Sequence, residues 1–525
     1  MAIRDFIRNR VSRMSESMDL FKKDVFDLEG VPAFREYYNL FIFVWQAIYK
    51  GFYKAWHDVP VKTIKDPKGK RRVMSTMNAG KMACSQMARY VWNERCSISA
   101  SMTNAPEDDP LDGFLQFVLK DNRFGTSFGD LLEKAFALGG SALKEWVEIP
   151  KDENGNDIGE GKVRIGYTMA SQFVPTAWNN SKVTSGIFVS REARDGFYYS
   201  VVEWHRLDGT TYRVTNDLYR QPIKDGEPQN ILGWWYPLNE IYPLLSPDTT
   251  IHDVHNSFFQ YIRPFGANYA DDNSPLGMSI YAPALNTLHG LDIMFDSLQR
   301  EFVLGKKRII APARAMKTSV INGGRPDRYF DADDEVWEAL ATDNPEDLKI
   351  YDNSVDLRIE PHLSGINGDL SILCAQIGFD PGTLSFDANN GLKTATEVIS
   401  ENSKTFSTVK AHENIISDAL REMVDAIFEL AVHYGLTWEG KSIESLVANG
   451  YDVAIKFDDS IIEDKAAEVN RNTMLVGAGL MSRTKFMTDT LGYTPEEAEK
   501  ELARISDESK RINAVEVTRL FGNME

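Results

Sequence analysis

The sequence predicts an α+β protein, because helical and strand-like patterns occupy separate stretches of the chain instead of alternating. Three early segments share apolar residues at helical spacing: 33–56, 79–95 and 111–137. From 141 to 250 apolar residues alternate with polar ones, as in antiparallel strands, and helical spacing returns over 275–304. With 525 residues, 43% hydrophobic and 26% charged, the chain has the composition of a globular protein with a large core.

The chain is acidic: 58 Lys and Arg residues stand against 77 Asp and Glu residues, a net charge of −19. Tight nucleic-acid binding depends largely on neutralising phosphates, so this balance argues against it. The balance is compatible with a wall past which DNA slides, because carboxylates repel the DNA backbone within about 10 Å. Cys84, Cys96 and Cys374 form an odd, sparse set, which predicts free thiols and a reducing compartment during folding.

The first 72 residues show no pattern typical of export or membrane insertion. Ile3, Phe6, Ile7 and Val11 have the spacing of an amphipathic helix. Tyr37–Tyr49 is the most apolar window, but it is shorter than the roughly 20 residues that span a bilayer, so we expect a buried helix.

A basic stretch follows at Val61–Arg72, with the sequence VKTIKDPKGKRR. It carries six basic residues and a turn signal at Pro67–Gly69. We predict a solvated hairpin or loop, and a nucleic-acid-binding patch is the alternative.

The alternating region contains two hairpin signals. Ala142–Ile149 and Lys162–Thr168 flank the polar turn sequence KDENGNDIGEG, and Tyr198–Leu207 and Thr211–Tyr219 flank an Asp-Gly pair. These signals predict a unit rich in antiparallel strands.

The helix predicted over 275–304 has an apolar seam with spacings of three and four. The seam consists of Leu288, Leu291, Phe295, Leu298 and Phe302. Asp292, Asp296 and Arg300 are expected on its polar side, with an Asp296–Arg300 contact between successive turns. An ordinary core-facing helix fits the spacing equally well. Short strands and an acidic stretch over 308–360 predict a small α+β unit inserted after it.

Gly378–Asn414 combines a glycine-bearing loop with the start of a long helix. A short helix is predicted over 366–377, and a capping-box pattern at Thr394–Glu397 places the start of the long helix there, with Gly435 as its end. Apolar residues at helical spacing predict a packing seam in its second half: Ile416, Leu420, Met423, Ile427 and Ala431. The stretch contains no acid–base pair, nucleophile or phosphate cradle. It therefore suggests mechanical handling of something large.

Sequence motifs for catalysis, cofactors and metals are missing. No G-x-x-x-x-G-K-[ST] motif is present, which argues against an NTP-hydrolysing motor, and no G-x-S-x-G motif is present. His252 and His255 lack further ligands nearby for zinc. The EF-hand-like start at Asp152 fails, because Asp157 and Val163 occupy the positions of the required Gly and Glu.

Four stretches of the chain resemble the portal proteins of tailed bacteriophages, most closely those of phages of Gram-positive hosts. They are Asn78–Cys96, Asn273–Pro312, Gly378–Asn414 and Phe457–Leu475, in the order of that family. The resemblance implies a portal-protein fold with a mixed α/β wing, a helical stem, a small α/β clip and a helical C-terminal crown. The implied domains are the wing (1–274), first stem helix (275–307), clip (308–363), second stem helix (364–377), tunnel loop region (378–393), long wing helix and strand (394–464) and crown (465–525).

The resemblance also implies a function without catalysis or cofactors. It implies a dodecameric ring at one capsid vertex that conducts double-stranded DNA during packaging and ejection, in the virion and, during assembly, in the host cytoplasm. Expected partners are further copies of the chain, the DNA in the channel, the terminase large subunit, a head–tail connector protein, and the major capsid and scaffolding proteins, with no membrane. The alternatives are a DNA-processing enzyme of the packaging machine and a vertex-associated capsid protein without a channel.

The resemblance assigns the channel-facing residues to one loop. These are Ser385, Phe386, Asp387, Ala388, Asn389, Asn390, Gly391, Leu392 and Lys393. Gly382 and Gly391 are the expected hinges, and the polar first half of the following helix is expected to face the channel or a neighbouring subunit. Lys306, Lys307 and Arg308 are candidates for phosphate contacts or for pairing with carboxylates of the next subunit.

Overall fold

The described residues contain both helices and antiparallel strands, with most of the strand residues between Ser141 and Ile262, and the predicted α+β class is confirmed. The structure is a computed structural model, and it describes residues 23–63, 66–103, 109–150, 158–180, 182–223, 231–305, 309–310, 317–320, 326–329, 351–352, 356–385, 403–458, 465–491, 493 and 497–506. The predicted helix around Ile3–Val11 and the capping box at Thr394–Glu397 lie outside these residues.

The first described elements are a short strand and an interrupted helix. They are β1 (Lys23–Asp24), α1 (Arg35–Tyr37), a π-helical turn (Tyr38–Ile42), α2 (Phe43–Tyr49) and α3 (Lys54–His57). Tyr38, Ile42 and Trp45 are each 1% exposed, which confirms the buried helix. The prediction of one helix over 33–56 was wrong, because Gly51 adopts a φ of +78° and the chain turns before α3.

The basic stretch forms a hairpin of β2 (Asp58–Thr63) and β3 (Asp66–Val73), paired antiparallel. The hairpin form that we predicted is therefore confirmed. After it come α4 (Ala79–Val91) and the strand β4 (Ser97–Met102), which the sequence analysis missed.

Two helices occupy the region predicted as one helix over 111–137. They are α5 (Pro110–Asp121) and α6 (Phe124–Leu138). The side-chain amide of Asn122 donates to the carbonyl oxygens of Val118 (2.8 Å) and Val163 (2.9 Å). Arg123 then adopts a left-handed φ of +50°, which ends the first helix.

The predicted antiparallel unit is confirmed as two sheets. Its strands are β5 (Ser141–Glu148), β6 (Lys162–Met169), β7 (Phe173–Asn179), β8 (Lys182–Arg194), β9 (Phe197–Asp208), β10 (Thr211–Pro222), β11 (Ile231–Tyr236), β12 (Asp248–Ile251) and β13 (Phe259–Ile262). One sheet has the order β1-β11-β10-β9-β8-β7, with β12 also paired to β10. The other has the order β13-β5-β6, and both predicted hairpins pair in register.

A close backbone approach joins α6 to the segment before the next helix. Gly139 ends α6 with a φ of +79°, and a Cβ atom there would lie 2.4 Å from the carbonyl oxygen of Gly277. A residue with a side chain is therefore excluded at position 139, both by the positive φ and by the short distance to Gly277.

The next helix, α7 (Leu285–Leu304), begins ten residues later than predicted. Residues 275–281 are not helical, and a 3₁₀ turn at Ala282–Ala284 leads into it. Four short strands follow: β14 (Ile309–Ile310), β15 (Lys317–Val320), β16 (Pro326–Tyr329) and β17 (Tyr351–Asp352). β14 pairs with β17 and β15 with β16, which agrees with a short-stranded insertion.

The remaining chain is mostly helical. Its elements are α8 (Ile359–Ile377), α9 (Ser403–His433), β18 (Thr437–Trp438), β19 (Lys441–Ser442), α10 (Ile443–Val447), β20 (Tyr451–Lys456), α11 (Lys465–Gly477) and α12 (Arg483–Leu491), with a further helical stretch over 497–506. α8 begins at Ile359, earlier than the predicted 366. β20 pairs with β4, and Gly435 follows α9 with a φ of +62°.

One large apolar core joins the N-terminal helices to α7, α8 and α9. It includes the predicted α9 seam of Ile416, Leu420, Met423, Ile427 and Ala431, all at most 1% exposed. The three cysteines are free, as predicted, and Cys84 and Cys374 are buried in this core. Within the described ranges, no helix is both long and apolar enough to cross a bilayer.

Candidate functional site

Most of the residues assigned by resemblance lie outside the described part of the chain. This holds for Lys306, Lys307 and Arg308, and for Phe386, Asp387, Ala388, Asn389, Asn390, Gly391, Leu392 and Lys393. Ser385 is described, at the end of the segment that follows α8. The structure therefore defines the support of the predicted loop: the helix pair before it, the two chain ends beside it, and the helix after it.

Helices α7 and α8 form an antiparallel pair. At one end, the hydroxyl of Thr287 donates to the side-chain oxygen of Gln376 at 2.8 Å. At the other end, Arg358 donates to both carboxylate oxygens of Glu301, at 3.1 and 3.0 Å. These hydrogen bonds from Arg358 lower the pKa of Glu301 to about 2, so this carboxylate stays charged.

Small residues let the two helices approach closely. A Cβ atom at Gly290 would lie 3.1 Å from a carboxylate oxygen of Asp369, and one at Gly365 would lie 3.3 Å from the sulfur of Met294. Ser297 donates to Nε2 of His362 at 3.1 Å, since Nδ1 of that ring donates to the carbonyl of Arg358. The contacts extend along the pair, so the two helices form one rod.

The end of α8 is fixed by a left-handed residue. Gly378 has a φ of +87°, and the next amide, of Phe379, donates to the carbonyl of Cys374 at 2.8 Å. Phe379 is fully buried, and a Cβ atom at Gly378 would lie 2.6 Å from the Thr408 hydroxyl. The chain therefore leaves the rod in a single direction, toward the start of α9.

Reciprocal hydrogen bonds join the two sides of the predicted loop. The amide of Asp380 donates to the hydroxyl of Thr405, and the amide of Thr405 donates to the carboxylate of Asp380, both at 2.8 Å. The Thr408 hydroxyl donates to the carbonyl of Gly378 at 2.8 Å. We call these four residues, Gly378, Asp380, Thr405 and Thr408, the loop clamp.

The loop clamp is shielded from water. Asp380 is 8% exposed and Thr405 is 7% exposed. Beside them, the ammonium group of Lys404 donates to the carbonyl of Ala375 at 2.8 Å. The described segments before and after residues 386–402 are therefore fixed within one hydrogen-bonded group. Gly382, one of the expected hinges, has a φ of +96°, whereas Gly391 is outside the described residues.

The prediction for the polar first half of α9 was partly wrong. Thr405, His412 and Glu413 are buried within the chain, at 7%, 3% and 2% exposure. Nδ1 of His412 accepts the amide hydrogen of Phe265 at 2.9 Å, and burial lowers the pKa of His412 to about 4. This face of α9 is therefore held by internal hydrogen bonds and is not available to a channel or a neighbour.

A second polar anchor lies on α7, where the sequence predicted an exposed polar side. Asp292 and Asp296 are instead 6% and 5% exposed. Asp292 accepts from the hydroxyl of Thr76 (2.8 Å) and the amide of Met77 (2.9 Å). Nδ1 of His57 accepts the amide hydrogen of Tyr53, so its Nε2 donates to Asp292, at 3.0 Å.

Asp296 forms its ion pair with Arg72, and the charge of the predicted partner Arg300 adds a weaker favourable interaction. Both guanidinium NH₂ groups of Arg72 donate to the Asp296 carboxylate, at 2.8 and 2.6 Å, and the Ser75 amide donates at 3.0 Å. Burial by itself raises the pKa of Asp296, but the hydrogen bonds from Arg72 and Ser75 outweigh it and keep that pKa below its usual range. We call Asp292, Asp296, His57 and Arg72 the α7 anchor, since they fix the basic hairpin to α7.

Sequence reasoning missed both the loop clamp and the α7 anchor. The clamp has a local signal, because the threonines at 405 and 408 share one face of α9 and follow a polar loop that begins with Asp380. The α7 anchor has none, since His57 and Arg72 lie more than 200 residues before Asp292 and Asp296. Within the described part of the chain, no three His, Cys, Asp or Glu side chains come together to hold a metal ion.

The described residues thus combine a helical rod, a clamped loop base, and a mixed α/β body that supports both. The chain belongs to the phage portal protein family of the SPP1 Gp6-like type, whose family model matches residues 41–514. The resemblance found in the sequence is thereby confirmed. Proteins of this family are structural parts of the phage capsid. No curated protein matches the chain.

Proposed function

We propose that twelve copies of this chain form a closed ring at one capsid vertex, through which double-stranded DNA enters during packaging and leaves during ejection. In this proposal the segments 275–307 and 364–377, which contain α7 and most of α8, form the stem. The insertion of 308–363 forms the clip, and the regions 1–274 and 394–464 form the wing. Residues 465–525 form the crown. The clip is the platform for the terminase large subunit and later for a head–tail connector, and the wing contacts major capsid and scaffolding proteins.

Uncovered apolar side chains on the rod carry the proposal. On α7, Ile293 and Phe302 are each 49% exposed, Val303 is 61% exposed and Leu304 is 53% exposed, while Ile372 of α8 is 50% exposed. Such a surface is costly in water, and it is explained if neighbouring rods pack side by side around an axis. The rod's own polar contacts face inward between α7 and α8, which leaves the apolar sides for neighbours.

The clamped loop supports the second part of the proposal. Residues 385–393 would project from the base formed by Gly378, Asp380, Thr405 and Thr408 toward the axis of the ring. One such loop from each subunit would form a collar around the duplex. A collar needs a fixed base and a movable tip, and the described clamp provides the base. Lys306–Arg308, at the far end of α7, are the proposed sites of phosphate contact or of pairing with the next subunit.

Electron microscopy of the purified chain tests the ring directly. We expect closed rings with a central pore wide enough for a DNA duplex. A chain that stays monomeric at high concentration, and that does not assemble with capsid protein, would contradict the ring. Robust nuclease or NTP hydrolysis by the purified chain, abolished by one carboxylate substitution, would instead favour a DNA-processing enzyme.

Deleting Ser385–Gly391 tests the loop separately from the ring. Because the loop clamp lies outside the deletion, we expect rings to assemble in normal yield. We expect phage particles built on them to lose the ability to package or retain DNA. Unchanged DNA retention in intact particles would show that the chain occupies the vertex without forming the channel's narrow point.

A further inference from the structure

The basic hairpin β2–β3 is a feature that the proposed channel function leaves unexplained. Its strands pack extensively against each other and, at the root, against α3. An isolated two-stranded hairpin is marginally stable in water, so contact with a further surface would stabilise it.

The root of the hairpin is fixed by several hydrogen bonds. Arg72 is held by the buried carboxylate of Asp296, and the amide of Met74 donates to the carbonyl of His57 at 2.8 Å. Arg71 donates to the carboxylate of Asp58 at 2.5 Å. The α7 anchor thus sets the direction in which the hairpin leaves the rod, and a pre-set direction lowers the entropy cost of docking.

The charge of the hairpin is opposite to that of the rest of the chain. Its strands carry Lys62, Lys68, Lys70, Arg71 and Arg72 against Asp58 and Asp66, a net charge of +3. Because the whole chain has a net charge of −19, the residues outside these strands have a net charge of −22. Each copy of the chain combines one positive projection with a strongly negative body, which is the complementarity that joins identical copies head to tail.

Apolar surface on the hairpin favours a protein partner over nucleic acid. Val73 is 66% exposed, Pro60 opposite Arg71 is exposed, and Lys70 lies opposite Val61 in the register. A segment that only neutralises phosphates needs cations but has no use for exposed valine and proline. A protein surface buries both kinds of side chain, because interfaces combine an apolar centre with charged contacts at the rim.

We propose that the hairpin docks on an acidic surface of the neighbouring copy of this chain, as a latch between adjacent subunits. This inference rests on the proposed ring and adds to it a specific contact outside the stem. The lysines would pair with carboxylates of the neighbour, while Val73 and Pro60 would be covered. Arg72 would stay on its own chain's Asp296 and connect the latch to α7.

The test compares two variants of equal charge. In the latch variant Lys62, Lys68 and Lys70 are replaced by Gln; in the control variant Lys120, Lys162 and Lys441, which are exposed elsewhere, are replaced by Gln. We expect the latch variant to need about a tenfold higher concentration for half-maximal ring assembly than the wild type and the control, from three ion pairs of a few tenths of a kcal/mol each. Raised salt should reduce the difference, because it screens exposed pairs.

Cross-linking identifies the partner. Rings assembled from mixed light and ¹⁵N-labelled chains are treated with a carbodiimide, which joins lysine amines to carboxylates in direct contact. We expect hybrid peptides that join Lys62, Lys68 or Lys70 of one isotopic form to Asp or Glu of the other. Equal assembly of both variants, together with cross-links confined to single chains, would overturn the latch while leaving the ring intact.

The remaining outcomes are also decisive. If the latch variant assembles normally but its rings lose salt-sensitive retention of a DNA duplex, the hairpin contacts nucleic acid and the latch is wrong. If the wild-type chain forms no rings, the proposed function fails. In that case a lack of hybrid cross-links at high chain concentration overturns the latch as well.

Discussion

The two halves of α7 share one apolar spacing but have opposite surroundings. In the first half Leu288 and Leu291 are 3% and 0% exposed, and Asp292 binds the segment that follows the hairpin. In the second half Phe302 is 49% exposed and Val303 is 61% exposed. The seam's first half is therefore completed by its own chain, whereas in the proposed ring its second half would be covered by a neighbour. One helix would thus join the folding of the subunit to the assembly of the ring.

The largest expected effect is in the completed half. Replacing Leu291 by Ala removes a fully buried side chain from the core, which should lower the free energy of unfolding by about 2–5 kcal/mol. Urea denaturation at one fixed protein concentration measures this loss. The matched change in the other half, Leu304→Ala, should lower that free energy by less than about 1 kcal/mol, because Leu304 is 53% exposed. Equal losses would contradict the division of α7.

The next largest effect concerns the α7 anchor. Replacing Asp296 by Ala leaves the partly buried guanidinium of Arg72 and the Ser75 amide without their acceptor, and should lower the free energy of unfolding by about 1–3 kcal/mol. The double variant Arg72→Gln, Asp296→Ala should lose less free energy of unfolding than the sum of the losses in the two single variants, since each single change already removes the same interaction. Strict additivity would show that the pair contributes nothing.

A smaller effect on stability is expected when the pH is lowered. The pKa of Asp296 is lower in the folded chain than in the unfolded chain, where it is about 3.9. Its contribution to stability is therefore present above the unfolded pKa and is lost as the pH falls through the folded pKa. Wild-type protein should lose more stability than Asp296→Asn between about pH 5 and pH 3, as measured by urea denaturation at each pH. Parallel pH curves would contradict this contribution.

The smallest effect on folding is expected from the exposed half. Phe302→Ser should change the free energy of unfolding by less than about 0.5 kcal/mol, because it removes a side chain that is half in water. Ring assembly, measured by analytical ultracentrifugation, should nevertheless weaken, since the proposed neighbour loses an apolar contact. Phe117→Ser, at another exposed phenylalanine (41%), is the control. If both variants assemble equally well, α7 does not take part in the interface.

Local patterns predicted much of the fold. The hairpins of β5–β6 and β9–β10, the buried helix before Tyr49, and the α9 seam were all predicted from spacing and turn residues. Helix boundaries were less reliable: Arg123 adopts a left-handed conformation that few sequence signals mark, and α7 starts only at Leu285. β4 was missed because its partner, β20, is more than 300 residues away.

The sequence by itself determined the α+β class, the acidic balance and the family, because composition, periodicity and family-typical runs are properties of the linear chain. The tertiary structure decided the surroundings of each polar side chain. Asp292 and Asp296 fit an exposed helix side by spacing, yet they are buried because distant backbone amides, His57 and Arg72 supply their hydrogen bonds. Asp380 and Thr405 likewise hold the loop base only because α8 and α9 meet there. A buried polar group depends on partners from elsewhere in the chain, and only folding brings those partners together.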